Sequence, residues 1–502
     1  MSNLNRAIRT SISINFIGRY SNILVQLLVT GTLARLLNPK DFGMIAVLSV
    51  LVTFFSFLSE MGLGPAIVQF QQLRREQLAT LQWLTVLVGS ALAAIFMLGG
   101  PFLAAFYREP RYTGISLYLG ATIALSCWGI VPLALLRKAQ RFRAIVVIEV
   151  AAALLSGTVA IWSAWSGGGV IALAVKSTSY AAFMLVFSLF ACRFNPLIRP
   201  DFRGLSTILA YSGYQFVFNL INYFTRNLDK LMIGRIMGSH ALGLYDMSYR
   251  LMLMPIANLT QVVSPALQPI YAAQQQQKDA IFSSYRDVVR VLTIVGGYAG
   301  IGCFVCAPEI IHLAYGSKWG SAVPIFAVLS LSIVVQVVLS SIGAIYQAIG
   351  RTDLLSLSGA LSAVTSIAAM ALGIRAGDLV VFSWLLAGSF LVNAVQGFHI
   401  LARYGFHRSL RDLFGPTTPC MIGIAVMLAA CHAGLAPAAN TAFQPLALAA
   451  KIAGVTLAYL GWVKLTGDLD FFCQTVLGRP RAGSARRNAR SAAGEANPTR
   501  PT

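Results

Sequence analysis

Charge is what this chain lacks. Only 11% of its 502 residues are Asp, Glu, Lys or Arg, where a soluble domain carries about 25%. That excludes an ordinary water-solvated surface, because 57% of the residues are hydrophobic. Acid is scarcer than base, with 17 Asp and Glu against 38 Lys and Arg and a net charge of +21. Histidine is scarcer still: the five are scattered and offer no metal cluster. The chain has no Gly-x-x-x-x-Gly-Lys-Ser/Thr phosphate loop, no His-Glu-x-x-His and no Gly-x-Ser-x-Gly, so enzyme signatures fail. The ten-residue alternation of a membrane barrel is also missing. A cleavable signal peptide is not expected. The first apolar segment begins near Ser11 and runs about 25 residues, too long for a signal core. Six of the seven cysteines lie in or beside apolar segments. Cys303 and Cys306 form a C-x-x-C with no histidine or second pair nearby, which reads as small packing residues.

What is present is a succession of apolar runs, each longer than about 18 residues and each a candidate membrane-spanning helix. Helices are expected because a spanning segment must satisfy its own backbone hydrogen bonds. The fold class expected is therefore an all-α integral membrane protein of about fourteen spans. The first lies near residues 11–35, the third 81–105, the fourth 113–135, the seventh 205–232, the eighth 241–266 and the tenth 322–346. Basic residues set the orientation. With the N-terminus inside, roughly 23 Lys and Arg lie in inner loops against about 7 outside, so both ends are cytoplasmic. This sorting accounts for most of the net charge and leaves no nucleic-acid patch to explain. The tail from Arg479 is basic and rich in small residues, and reads as a disordered segment lying on anionic headgroups.

An internal repeat emerges at an offset of 200 residues. Phe16, Asn22, Leu28, Arg35, Gly43 and Leu51 coincide with Phe216, Asn222, Leu228, Arg235, Gly243 and Leu251. Six spans separate the halves, so both begin on the same side: a parallel repeat about an axis along the membrane normal. The organisation expected is two pseudo-symmetric six-helix lobes, 1–198 and 199–404, a helix pair over 405–468 and a cytoplasmic tail over 469–502.

Matching spans carry matching polar stripes. Asn15, Arg19, Asn22 and Gln26 follow helical spacing in the first span, with Thr30 beyond. In the seventh, Gln215, Asn219, Asn222, Arg226 and Lys230 do the same, with Asp229 at the edge. Residues advance about 100° per step, so each set shares one face. Facing lipid, a central charge costs roughly 2.5–3.5 kcal/mol on insertion scales. The stripes are therefore expected to face a wet cavity between the lobes.

Further polar groups lie in other spans. Asp246 and Arg250 stand at i and i+4, suited to a local ion pair. Glu60 ends the second span, and Glu149 with Lys176 reads as an interhelical clamp. Arg286, Arg290 and Lys451 are expected to snorkel to headgroups. The excess of cation suits phosphate, which arginine's fork holds bidentately. Amides and tyrosines such as Tyr211, Tyr214 and Tyr223 suit sugar hydroxyls and rings. Together they point to a large anionic glycan.

The segment Leu33–Gln69, centred on Leu37, Pro39, Asp41, Phe42 and Gly43 and continuing into Glu60-Met-Gly-Leu-Gly, resembles the opening of Wzx-type polysaccharide flippases. These belong to the multidrug/oligosaccharidyl-lipid/polysaccharide exporter superfamily. The stretch over Asp229, Lys230, Ile233, Gly234, Gly243, Tyr245 and Tyr249 resembles that family's second-half signature. The resemblance implies alternating access across the bacterial inner membrane. Its cargo would be an undecaprenyl-diphosphate-linked oligosaccharide, and its partners membrane lipids, a polysaccharide polymerase and a chain-length regulator. Related peptidoglycan-precursor flippases use arginines in a central cavity, and Arg19 and Arg250 occupy similar places.

On this reading Arg19, Arg226, Lys230 and Arg250 hold the diphosphate. Asn15, Asn22, Gln26, Gln215, Asn219, Asn222 and Tyr223 line the glycan path. Glu60, Asp229 or Asp246 binds a coupling proton or sodium ion, and no other cofactor is expected. Three rivals stay open. A cation-coupled drug antiporter of the same superfamily predicts an acidic, apolar cavity. A membrane glycosyltransferase or polymerase predicts a large outer loop or an acidic cluster. A scaffold of the polysaccharide machinery predicts that cavity charges are dispensable.

Overall fold

The structure, a computed structural model, describes residues 2–60, 63–69, 73–192, 223, 227–272, 277–434 and 444–477. For 2–17, 60, 261–270 and 430–434, among others, it describes the backbone alone. Every regular element among the described residues is helical, as lipid requires of open-ended backbone. The order begins α1 (Ser2–Leu36), α2 (Pro39–Glu60), α3 (Leu63–Gln69), α4 (Arg75–Leu98) and α5 (Gly100–Tyr107). It continues α6 (Arg111–Trp128), α7 (Ile130–Lys138), α8 (Phe142–Trp165), α9 (Val170–Cys192), α10 (227–236) and α11 (Gly238–Ala272). Then come α12 (Lys278–Val305), α13 (Ala307–Tyr315), α14 (Val323–Leu339), α15 (Ile342–Ala348), α16 (Thr352–Ala376) and α17 (Leu379–Ile400). The last are α18 (Leu410–Phe414), α19 (Thr418–Gly434), α20 (Gln444–Leu465) and α21 (Asp468–Leu477).

Eleven stretches among the described residues are long and apolar enough to cross a membrane. Each coincides with an expected span. The seventh expected span falls largely on residues outside the described set, and for parts of the first and eighth only the backbone is described. The chain is an all-α, multi-pass membrane protein. Several expected continuous spans are broken, among them the ninth, at Cys306 between α12 and α13. Gly99, followed by Pro101, separates α4 from α5. Gly129, followed by Pro132, separates α6 from α7. Ser340 and Ser341 separate α14 from α15. Proline removes a helical donor and is at home in a first turn. At Gly238, between α10 and α11, φ is +88°, a turn that glycine makes without steric cost.

The chain forms two compact units. The first comprises residues 1–249, 311–325 and 370–382. In it, Trp319 is fully buried, sets its ring edge-on to Phe42 at 5.3 Å and donates its indole N–H to Ala34 O at 2.9 Å. Arg35 donates to Leu313 O at 2.7 Å. Two glycines related by the 200-residue offset meet in this unit. A Cβ placed on Gly43 would overlap Ser239 O and stand 2.8 Å from Gly243 N. A Cβ on Gly243 would overlap Pro39 O and stand 3.1 Å from Gly43 N. Positions 39 and 239, like 43 and 243, are equivalents under the 200-residue offset. The contact is thus reciprocal, and α2 and α11 cross backbone to backbone, as small residues allow within membranes.

The second unit comprises residues 250–310, 326–369 and 383–502. Its core includes Ile294, Ile301, Cys420, Ile424, Val455 and Tyr459. Two sequence expectations are corrected here. Arg290 does not simply reach for headgroups: its Nε and Nη2 both donate to Asp468 Oδ1, at 2.6 and 2.5 Å, and its guanidinium lies 4.2 Å from the Phe471 ring centroid. Asp468 also accepts from Thr466 Oγ1 at 2.7 Å. Lys451, expected as an end anchor, pairs with Glu309 at 2.6 Å. In both cases an acid from a distant segment supplies what the headgroup would have offered. Cys303 and Cys306 are free thiols.

Candidate functional site

The polar face of α1 opens on a cavity of about 300 Å³ in the first unit. Arg19, Asn22 and Gln26 line it from α1, and Ile145, Val146 and Glu149 from α8. The two helices approach closely because Gly18 has no side chain to meet Val146. Gln26 Nε2 donates to Asn22 Oδ1 at 3.3 Å, fixing two amides of the stripe to one another. Among the described residues Arg19 forms no ion pair, although Glu149 borders the same space. Glu149 is the site residue that sequence reasoning assigned elsewhere. The expected clamp with Lys176 is not made among the described residues. Lys176 Nζ instead donates to Thr30 Oγ1 at 3.4 Å, again on α1. The signal was there, since an acid in mid-span wants a partner or water, but the sequence does not give its neighbour.

A second polar cluster ties α10 to α11. Lys230 Nζ stands 2.9 Å from Asp246 Oδ1, and Tyr245 Oη donates to Asp229 Oδ2 at 2.6 Å. Asp229 and Asp246 are 3% and 2% exposed. Adjacent residues on each helix thus exchange a salt bridge and a hydrogen bond. Tyr245 stacks on Tyr249 at 5.5 Å and meets Phe382 edge-on. Asp246, one turn before Arg250 on α11, also carries Lys230 from the other side of the Gly238 turn. Arg250 lies on α11 with an exposed side chain.

Tyr223 donates its hydroxyl to Val50 O at 2.5 Å and sets its ring against Phe57 at 5.3 Å. It fastens onto α2 rather than offering a free hydroxyl. Gln215, Asn219, Asn222 and Arg226 lie outside the described residues, as do the side chains of Asn15 and Glu60. The structure therefore brings Arg19, Asn22 and Gln26 together with Glu149, and joins Lys230 to Asp246 and Asp229 to Tyr245. No group of three or more His, Cys, Asp and Glu side chains that could hold a metal occurs among the described residues.

Comparison with known proteins places this geometry in context. The profile of a family described as "Polysaccharide biosynthesis protein" matches residues 32–324. The chain is 25% identical over 413 residues to the teichuronic acid biosynthesis protein TuaB of Bacillus subtilis, covering 81% of this chain and 85% of that one. It is 25% identical over 334 residues to the lipopolysaccharide biosynthesis protein WzxC of Escherichia coli, covering 66% and 67% of the two. Its fold is similar to that of the lipid II flippase MurJ in an inward closed conformation. The TM-score is 0.69 at 12% identity, over 91% of this chain and 99% of that one.

Proposed function

Because the chain belongs to the polysaccharide biosynthesis protein family, we propose that it is a flippase of the bacterial inner membrane. Its cargo is an undecaprenyl-diphosphate-linked oligosaccharide, moved outward by alternating access of the lobes 1–198 and 199–404. The observation that carries this reading is the arginine-and-amide face of α1, where Arg19, Asn22 and Gln26 border a cavity inside a membrane-spanning unit. A guanidinium without a protein acid presents its fork to a phosphate. Amides beside it suit sugar hydroxyls.

In this scheme Arg19 and Arg226 take the diphosphate, with Lys230 and Arg250 adding positive charge. Asn15, Asn22, Gln26, Gln215, Asn219 and Asn222 follow the glycan, and Tyr223, its hydroxyl held by Val50 O, adds its ring to that path. The prenyl chain stays in lipid between helices. Glu60, Asp229 and Asp246 are the candidates for a coupling proton or sodium ion. The protein moves its substrate without altering it, and a polymerase and chain-length regulator receive the product.

The test is depletion followed by mass spectrometry of the lipid-linked pool on the cytoplasmic leaflet. A diphosphate-linked oligosaccharide should accumulate. Arg19→Ala should reproduce that accumulation at normal expression, and Arg19→Lys should relieve part of it. Normal surface polysaccharide in the Arg19→Ala strain would refute Arg19's role. Unchanged lipid-linked pools on depletion, with altered drug susceptibility, would turn the reading to an antiporter.

A further inference from the structure

The second unit holds a larger, apolar groove of about 510 Å³. Val334 and Val338 of α14, Val395 and Phe398 of α17, and Phe414 of α18 form much of its wall, with Arg411 at its edge. Two lining hydroxyls are already satisfied by backbone carbonyls four residues earlier in the chain. Thr293 donates to Val289 O at 2.8 Å, and Thr418 to Phe414 O at 3.0 Å. The wall therefore asks for hydrocarbon.

Arg411 asks for something else. Its neighbouring acid, Asp412, is committed to a helix cap: it accepts from Ser409 N at 2.9 Å, while its own N–H donates to Ser409 Oγ at 3.2 Å. The nearby Arg408 has its own acid, Asp279, at 2.9 Å. Among the described residues Arg411 is left with no acidic partner, on an exposed turn at the rim of an oily groove. An apolar slot ending at one free guanidinium is complementary to a chain that ends in one negative phosphate.

Volume narrows the ligand. At about 510 Å³ the groove falls within the roughly 300–1,000 Å³ of small-ligand clefts, a size suited to one acyl chain. An undecaprenyl chain is several times longer, and its diphosphate carries more charge than one arginine matches. We infer that this groove is a binding site for an anionic glycerophospholipid, one acyl chain lying along α14 and α17 with the phosphodiester on Arg411. The site is distinct from the α1 cavity, and its occupant is a resident lipid rather than cargo.

The full chain, purified in detergent, is titrated with phosphatidylglycerol, phosphatidylcholine or undecaprenyl phosphate and read by native mass spectrometry. The wild type should retain one phosphatidylglycerol about fivefold more strongly than phosphatidylcholine, the preference that one basic residue gives near an anionic headgroup. Arg411→Ala should bring the two lipids level. Arg403→Ala, on the same basic loop but outside the groove lining, should leave the preference intact. Val395→Trp fills the groove from a position already 52% exposed, and should lower retention of both phospholipids. Undiminished preference in Arg411→Ala would overturn the inference. So would undiminished retention in Val395→Trp, or tighter retention of undecaprenyl phosphate than of phosphatidylglycerol.

Discussion

Replacing Lys230 with methionine isolates what the α10–α11 ion pair contributes. Lys230 Nζ lies 2.9 Å from Asp246 Oδ1, with the lysine side chain 19% and the aspartate side chain 2% exposed. The asymmetry in exposure sets the expected magnitudes. Lys230→Met takes the lysine cation from a buried carboxylate, a change that costs about 3–5 kcal/mol when one partner of a buried pair is removed. Asp246→Leu strands the lysine instead, whose long stem can carry its ammonium toward water, so its cost is nearer 1–2 kcal/mol. The double variant Lys230→Met/Asp246→Leu leaves neither charge buried and should lie close to wild type, since replacing a buried pair by packed apolar groups is often neutral. Unfolding in mixed micelles orders the four proteins. Export of polysaccharide then separates structure from function. If Lys230 also contributes to diphosphate binding, the double variant should be stable yet lose transport roughly tenfold, about 1.4 kcal/mol. Wild-type export by the stable double variant would show that Lys230 serves Asp246 alone. A Lys230→Met protein that unfolds at the wild-type midpoint would refute the pair's energetic role.

Gly43→Ala and Gly243→Ala should each cost about 3 kcal/mol or more. The obstruction is a carbonyl of the facing helix rather than a movable side chain, and overpacking of this kind is costly. Gly114→Ala, where an added methyl meets open space, should stay within about 0.5 kcal/mol; thermal melts of the three check this. Asp468→Leu should destabilise the second unit by about 1–2 kcal/mol by leaving Arg290, 20% exposed, without its acid, and Arg290→Met/Asp468→Leu should recover most of that loss in the same melts.

Much of the fold was legible because the signals are local. Length and hydropathy mark a span without reference to any other part of the chain, and the same holds for the α1 stripe. Asn22 and Gln26 share a face by spacing alone, and their amides do meet. Partners between helices were not legible. Glu149 was assigned to Lys176, and Arg290 and Lys451 to headgroups, because periodicity says which way a side chain points and not which helix lies there. Arg290 and Asp468 are 178 residues apart in sequence, and Lys451 and Glu309 are 142 apart. The breaks after α4, α6 and α14 were missed for a related reason. A kink of one turn leaves the mean hydropathy of a window unchanged, and only Gly99, Pro101, Gly129 and Pro132 hint at it. The repeat was read from six identities, and its contact at Gly43 and Gly243 could not be.

That contact has an ancestral reading. When position 43 of one half meets its own counterpart in the other, a chain carrying only the first half twice would set residue 43 of each copy against residue 43 of its twin. An isologous interface has this self-complementary form. The crossing therefore has the self-complementary form of an interface between two identical half-length proteins. Joining them into a single gene would preserve it without a new surface having to evolve.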